Sequence, residues 1–311
     1  MSAPILEVDR VTMRFGGLVA NEDVSFAVQP GQVFAVIGPN GAGKTTLFNA
    51  ITGVYQPSAG EVRFDGRVVR KPFAARLVLR VLGTAIVSAA VSVFALNVLS
   101  LWKAVVVANY AYGEPFAWGT ALGCVAPTLR SAGAAWTWGA ALVGACVGGG
   151  AAYTLWARTR RTPDVVQRAG IARTFQNIRL FGELSVRENV LVGMHGRLGA
   201  NYFTNLLRLP GFWRERAESD ARAMDLLRFV GLEARAFDAA RNLPYGLQRR
   251  LEIARALASR PRLLLLDEPA AGMNPTETVA LMELIRRIRE TGVTVLLIEH
   301  HMRVVMGVSD R

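Results

Sequence analysis

A chain of 311 residues, 51% hydrophobic and 19% charged, is long enough for one large domain or two ordinary ones with a sizeable core. Its 36 Lys and Arg against 24 Asp and Glu leave a net charge of +12, yet the arginines spread over helix-patterned stretches and carry no nucleic-acid motif; no nucleic-acid partner is expected, and anionic lipid headgroups suit the charge better. The two cysteines, Cys124 and Cys146, form no Cys-x-x-Cys pair, so neither a disulfide framework nor a zinc site is indicated.

Met1–Glu7 has no basic region followed by an apolar run, so no secretory signal is expected there. Short β-like runs follow at Leu6–Val8, Val24–Val28 and Val33–Ile37, the last two joined across Pro30-Gly31. The next eight positions, Gly38-Pro39-Asn40-Gly41-Ala42-Gly43-Lys44-Thr45, satisfy every fixed position of G-x-x-x-x-G-K-[ST]. An apolar strand precedes the motif and a helix, Thr45–Thr52, is predicted after it, which is the strand–turn–helix setting of a phosphate-binding loop. Glycines let the backbone wrap a polyphosphate with its N–H groups inward, and a helix N-terminus adds partial positive charge. Lys44 is expected on the β- and γ-phosphates, Thr45 on Mg²⁺, and Thr46 beside it in the nucleotide site. This loop implies a nucleoside triphosphate with Mg²⁺. A strand at Glu61–Phe64 closes an N-terminal β layer.

Mean hydropathy is +0.27, and the excess lies between about Leu77 and Ala157. Val81–Trp102 and Ser131–Ala157 carry no charged residue, and each is long enough at about 1.5 Å per helical residue to cross a hydrocarbon layer of roughly 30 Å. Gly144 and Gly148 give a small-residue spacing that permits close helix contact. Arginines and Lys71 cluster upstream (Arg63–Arg80) and arginines downstream (Arg158–Arg168), whereas the intervening loop carries only Lys103, Glu114 and Arg130. A two-helix transmembrane hairpin with both flanks in the cytosol is expected. The competing reading is a soluble helical insertion that buries its apolar faces against a partner or in a dimer.

Beyond the apolar stretch, Gly170–Phe175 reads as a strand, Val186–Val192 and Arg214–Phe229 as helices, Leu263–Leu266 and Val293–Ile298 as buried parallel strands, and about 275–290 as the helix between them. Leu263–Leu266 delivers Asp267 and Glu268 to a C-terminal strand edge, where parallel sheets hold ligands. The first carboxylate suits Mg²⁺ and the second suits a water.

The order of the phosphate loop, Arg173-Thr174-Phe175-Gln176, the helix start Leu243-Pro244-Tyr245-Gly246-Leu247-Gln248, Asp267-Glu268 and Ile298-Glu299-His300 resembles the ATP-binding subunits of ABC transporters. Within that family the chain is most similar to the ATPases of high-affinity branched-chain amino-acid uptake, through Arg14–Gly17, Tyr245-Gly246 with Arg249-Arg250, Ala270–Pro275 and Val305–Gly307. The resemblance covers about 1–70 and 165–311 and leaves 71–164 as an insertion. It implies an α/β P-loop NTPase of ABC type, with an N-terminal β layer, a helical subdomain over 183–259 and a catalytic core over 260–311, interrupted by the expected hairpin at about 81–102 and 131–157. It also implies that Phe15 stacks on adenine, Gln176 senses the γ-phosphate through Mg²⁺ or the attacking water, Asp267 holds the Mg²⁺ shell, Glu268 polarises the water and His300 touches the γ-phosphate. Tyr245, Gly246 and Gln248 would serve ATP on an opposite subunit, so a homo- or heterodimer with another ABC ATPase is implied, together with a membrane permease and, indirectly, a substrate-binding protein. The site departs from the common Leu-Ser-Gly-Gly-Gln form at Pro244 and Leu247, which predicts weaker or asymmetric catalysis. Family members continue past the position of Arg311 with another strand and helices, so the C-terminus is read as truncated. The expected location is the inner membrane with the ATPase on its cytoplasmic side. The alternative reading is a membrane-anchored nucleotide-binding regulator or scaffold without productive turnover.

Overall fold

In the computed structural model, β1 (Leu6–Phe15) pairs antiparallel with β2 (Leu18–Val28) on one side. It is longer than its apolar start suggests. Register shifts beyond Val8 and a left-handed backbone at Arg10 break the alternation by which a strand is recognised, so Val11, Thr12 and Met13 are all buried. The next strand, β3 (Val33–Val36), does not continue this layer but leaves for a second sheet. After it come the loop and α1 (Lys44–Ile51), then β4 (Ala59–Phe64), which pairs with the other edge of β1, and the short β5 (Arg67–Val68). The antiparallel order is β2-β1-β4-β5.

The structure describes residues 3–69, 75–131, 133–159, 162–197, 208 and 210–311. These form two compact units, residues 1–70 with 161–311, and residues 71–160.

The 71–160 unit is helical: α2 (Ala75–Val105), α3 (Trp118–Gly123), α4 (Val125–Ser131) and α5 (Ala134–Arg158). The apolar run predicted from Ser131 is broken near its start, because Gly133 turns the chain with φ +88 before α5 begins. The helices α2 and α5 run antiparallel in close contact. A Cβ on Gly148 would lie 2.5 Å from Ser88 Cβ and 2.7 Å from Thr84 O, and one on Gly144 would lie 2.6 Å from Ser88 O. Both helices are long and apolar enough to cross a membrane, and only 6% and 11% of their most apolar windows are buried.

In the other unit, α6 (Pro163–Ala169) leads into β6 (Ile171–Arg173), and α7 (Val186–Met194), α8 (Pro210–Val230) and α9 (Tyr245–Ala258) form the helical part. A reciprocal cap between Ser185 and Glu188 starts α7. The chain then returns through β7 (Leu263–Asp267), α10 (Pro275–Glu290), β8 (Thr294–Ile298) and α11 (Met302–Val308). The second sheet is parallel in the order β3-β8-β7-β6. Its faces are both covered. Leu264, Leu266, Val295 and Leu297 enter a cluster with α7, α8, α9 and α10, whereas Leu263, Leu265, Leu296 and Ile298 face α1 and the antiparallel sheet. This two-sided burial explains why β7 and β8 read as unbroken apolar runs.

Candidate nucleotide site

Register brings four segments to one edge. Val36 of β3 and Asp267 of β7 both pair with Ile298 of β8, and Arg173 of β6 pairs with Leu265 of β7. The phosphate loop, Glu299-His300, Asp267-Glu268 and Arg173–Gln176 therefore all leave from the C-terminal ends of neighbouring parallel strands, where such sheets take ligands.

The loop's backbone turns at Gly41 (φ 85) and Gly43 (φ 80). At Gly43 a side chain is also excluded by space, because a Cβ would meet the Ala20 carbonyl and lie 2.5 Å from Asn21 Nδ2. Lys44 begins α1, one residue earlier than the predicted Thr45, and is 8% exposed. Its Nζ donates to Gly38 O at 2.7 Å and Pro39 O at 2.8 Å, which holds the ammonium across the loop. Thr45 lies exposed and Thr46 half-buried at the helix start, beside Pro39, Asn40 and Ala42. This is a concave run of glycine-rich backbone with a cation at its centre, the form that binds phosphate.

Across the edge, Gln176 Nε2 donates to Glu268 Oε2 at 2.9 Å, and His300 Nδ1 lies 3.8 Å from Glu268 Oε1. Glu268 itself is left-handed at φ 45, which costs a non-glycine residue about 1–2 kcal/mol, and its N–H donates to Ile298 O at 3.0 Å. A carboxylate flanked by an amide and an imidazole can hold a water and accept its proton.

Asp267 is 1% exposed. Arg173 Nη2 donates to its Oδ2 at 2.7 Å, while Oδ1 is buried with no hydrogen-bond partner among the described residues. That orphaned oxygen, with the Thr45 hydroxyl, is a hard-oxygen donor set that fits Mg²⁺ completed by phosphate and water. No cluster of three or more His, Cys, Asp or Glu side chains able to hold a metal occurs among the described residues, so phosphate oxygens would be needed.

Phe15 ends β1 exposed, its ring edge-on to Tyr55 at 5.2 Å. Tyr245 Oη donates to Ala271 O at 3.0 Å, a Cβ on Gly246 would lie 2.5 Å from Glu277 Oε1, and Gln248 Nε2 donates to Leu243 O at 2.9 Å. These three residues thus contact their own chain's 271–277 segment and the turn before α9.

Three groups of residues with no role assigned from the sequence hold this edge together. Arg173 also donates from Nη1 to Asn49 Oδ1 at 2.6 Å and so links β6, β7 and α1. Glu299, fully buried, accepts from Ala270 N at 2.9 Å and from His300 N at 3.2 Å, which fixes the turn after Glu268 and the path to His300. Arg249 and Glu252 form a buried ion pair on α9 at 2.7 Å, and burial lifts the Glu252 carboxyl above its ordinary value while the Arg249 charge pulls it back. The signal for all of them was a charged residue on an otherwise apolar strand end or helix face.

A family model described as "ABC transporter" matches residues 21–99 and 155–271. The chain is 37% identical over 311 residues to the high-affinity branched-chain amino acid transport ATP-binding protein BraF of Pseudomonas aeruginosa, covering all of this chain and 87% of that one. It is 35% identical over 312 residues to the corresponding protein LivG of Escherichia coli K12, with coverage of 100% and 88%. Among solved structures, the ADP conformation of MJ1267, an ATP-binding cassette of an ABC transporter, superposes with a TM-score of 0.62 at 23% identity over 99% of this chain and 86% of that one, which establishes the shared fold. The phosphate loop, the two strand-end carboxylates and these matches together identify the chain as a member of the ABC transporter ATP-binding family.

Proposed function

We propose that this chain is the ATP-hydrolysing subunit of an importer for branched-chain or related amino acids, and that it drives a membrane permease by ATP-dependent closure of an ATPase dimer. The observation that carries the reading is the convergence of Lys44, Gln176, Asp267, Glu268 and His300 at one edge of the parallel sheet. In this reading the amides of residues 38–46 and the Lys44 ammonium hold the phosphates, and Phe15 offers its exposed face to adenine. Thr45, Asp267 and the Gln176 amide would hold Mg²⁺, which supplies charge neutralisation on the phosphates. Glu268 takes a proton from water as its oxygen attacks the γ-phosphorus, the bond to the β–γ bridging oxygen breaks, and ADP and phosphate result. Gln176 and His300 orient Glu268 and the transferred phosphoryl group.

The Tyr245–Gln248 helix start would close on the ATP of an opposite ATPase, identical or not, so closure and hydrolysis alternate as two states of a dimer. Glu268→Gln should bind Mg·ATP, lose turnover by about 100-fold or more, and accumulate as a closed dimer; normal turnover in that variant would refute the assignment. Stimulation of turnover by a reconstituted permease supports transport, whereas persistent inactivity favours a nucleotide-binding regulator.

The apolar hairpin of α2 and α5 is read as crossing the inner membrane, with both flanks and the ATPase in the cytoplasm. Its support is the exposed apolar surface of the two helices and the arginines at their outer flanks. The two cysteines provide a test, since Cys124 lies between α3 and α4 and Cys146 lies midway along α5. A membrane-impermeant maleimide applied outside intact cells should label Cys124 and not Cys146; labelling of neither until lysis would refute the crossing.

A further inference from the structure

We infer that Arg249 and Glu252 are positioning residues for Gln176: from α9 they grip the backbone of the Gln176 segment, so that Gln176 follows any movement of that helix. The inference rests on the proposed function for Gln176 and for the start of α9. The sheet's hold on this segment ends at Thr174, whose N–H donates to Leu265 O at 2.9 Å. From the next residue the hydrogen bonds pass to α9. Arg249 Nη1 donates to Phe175 O at 2.7 Å and Nη2 to Gln176 O at 2.8 Å, while Glu252 Oε1 accepts from Phe175 N at 3.2 Å. Three backbone groups of two consecutive residues are therefore bound by side chains one helical turn apart, themselves paired Nη1 to Oε2 at 2.7 Å and exposed by 0% and 1%.

Stability alone is a poor reason for such a pair, because buried ion pairs replaced by apolar residues of similar volume often leave proteins equally stable or more so. What an apolar pair cannot do is hold two successive carbonyls and an amide. The planar guanidinium fork spans both carbonyls, which a lysine ammonium does not reproduce. Tyr245, one turn before Arg249, also bonds Ala271 O in the segment after Glu268 and packs its ring against Gly272. Thus one helix contacts the segments that carry Gln176 and follow Glu268, and its own first turn is the part read as meeting the opposite ATP. Closure on one nucleotide is thereby transmitted to the hydrolytic groups at the other.

The test compares the full-length protein with Arg249→Met/Glu252→Met and with Arg249→Lys. The methionine pair should stay folded with a single cooperative thermal transition, at a lowered midpoint because water must replace the partners of three backbone groups. Its Phe175 amide should lose at least about tenfold in hydrogen-exchange protection, since its acceptor is gone. Turnover should fall about tenfold or more while the KM for ATP changes by less than about twofold, the split expected of misplaced rather than missing binding groups. Arg249→Lys should lower turnover in the same direction. Retained turnover or retained Phe175 protection in the methionine pair would overturn the inference and leave a purely structural ion pair. If the parent protein itself hydrolysed no ATP, the proposed function would fail, and the exchange measurement would still decide whether the clamp exists.

Discussion

Replacing Arg173 by Met tests how the Asp267 strand end is held. Arg173 and Asp267 are 8% and 1% exposed and meet at 2.7 Å, and the same guanidinium serves Asn49 Oδ1 at 2.6 Å and lies 5.5 Å from the Phe48 ring centroid. Removing one member of a buried pair strands the other charge, at a cost of about 3–5 kcal/mol. The lost Asn49 bond adds about 1 kcal/mol. With a urea slope of about 2–3 kcal/mol per molar, the unfolding midpoint should fall by about 1.3–3 M. Pulse proteolysis across a urea series on the full chain in mild detergent reads this shift without requiring nucleotide. Asp267→Asn in the Arg173→Met background should recover a large part of the loss, because no carboxylate is then left without a counter-charge; the coupling between the two positions should reach about 2 kcal/mol or more. A midpoint shift below about 0.3 M, or simple additivity in the double variant, would show that solvent reaches Asp267 and that Arg173 does not hold it.

Gly43→Ala should abolish binding of a fluorescent ATP analogue and cost about 2–4 kcal/mol, combining a φ of +80 with overlap on Ala20 and Asn21; Gly41→Ala, at φ +85 but with nothing within 4 Å, should cost only the backbone part. In the hairpin, Gly148→Leu should destabilise α2–α5 packing by about 1–3 kcal/mol in detergent melts, because its side chain points onto Ser88 and Thr84. Gly150→Ala, with open space at that position, should be neutral or stabilising in the same assay. Hydrogen bonds from the Ser185 backbone and hydroxyl hold the Glu188 carboxyl below its ordinary value of 4.5. A lowered carboxylate contributes stability that is present above the ordinary value and disappears as pH falls through the lowered one. Glu188→Gln should remove that part of the acid dependence of unfolding and leave the neutral and alkaline limbs parallel to the parent.

Much of this molecule is legible in one dimension because its chemistry is local. The phosphate loop depends on glycines and a lysine within eight consecutive positions, and the Asp267-Glu268 edge on a strand buried on both faces, so each announces itself by composition. Helix α10 begins and ends where the sequence places it, since Pro275 and the Asn274–Glu277 cap are adjacent in the chain. The two apolar helices were visible for the same reason, although the break at Gly133 was not, because a single left-handed residue leaves no trace in a hydropathy pattern.

Tertiary structure decided what joins distant segments. The full length of β1 escaped notice because register shifts erase the alternation, and the separation of β3 from β2 depends on which partner strand each finds rather than on the turn between them. Nor did spacing reveal that Arg173 spans Asn49 and Asp267, that Glu299 fixes the turn at Ala270, or that Arg249 and Glu252 grip Phe175 and Gln176. Each of these is a buried polar group whose identity is set by an unsatisfied backbone or side-chain atom far away in the chain. Local composition specifies which chemistry the chain can perform; the positions from which that chemistry is held follow from the folded sheet edge, where burial drives most polar atoms to find a partner and leaves Asp267 Oδ1 without one among the described residues.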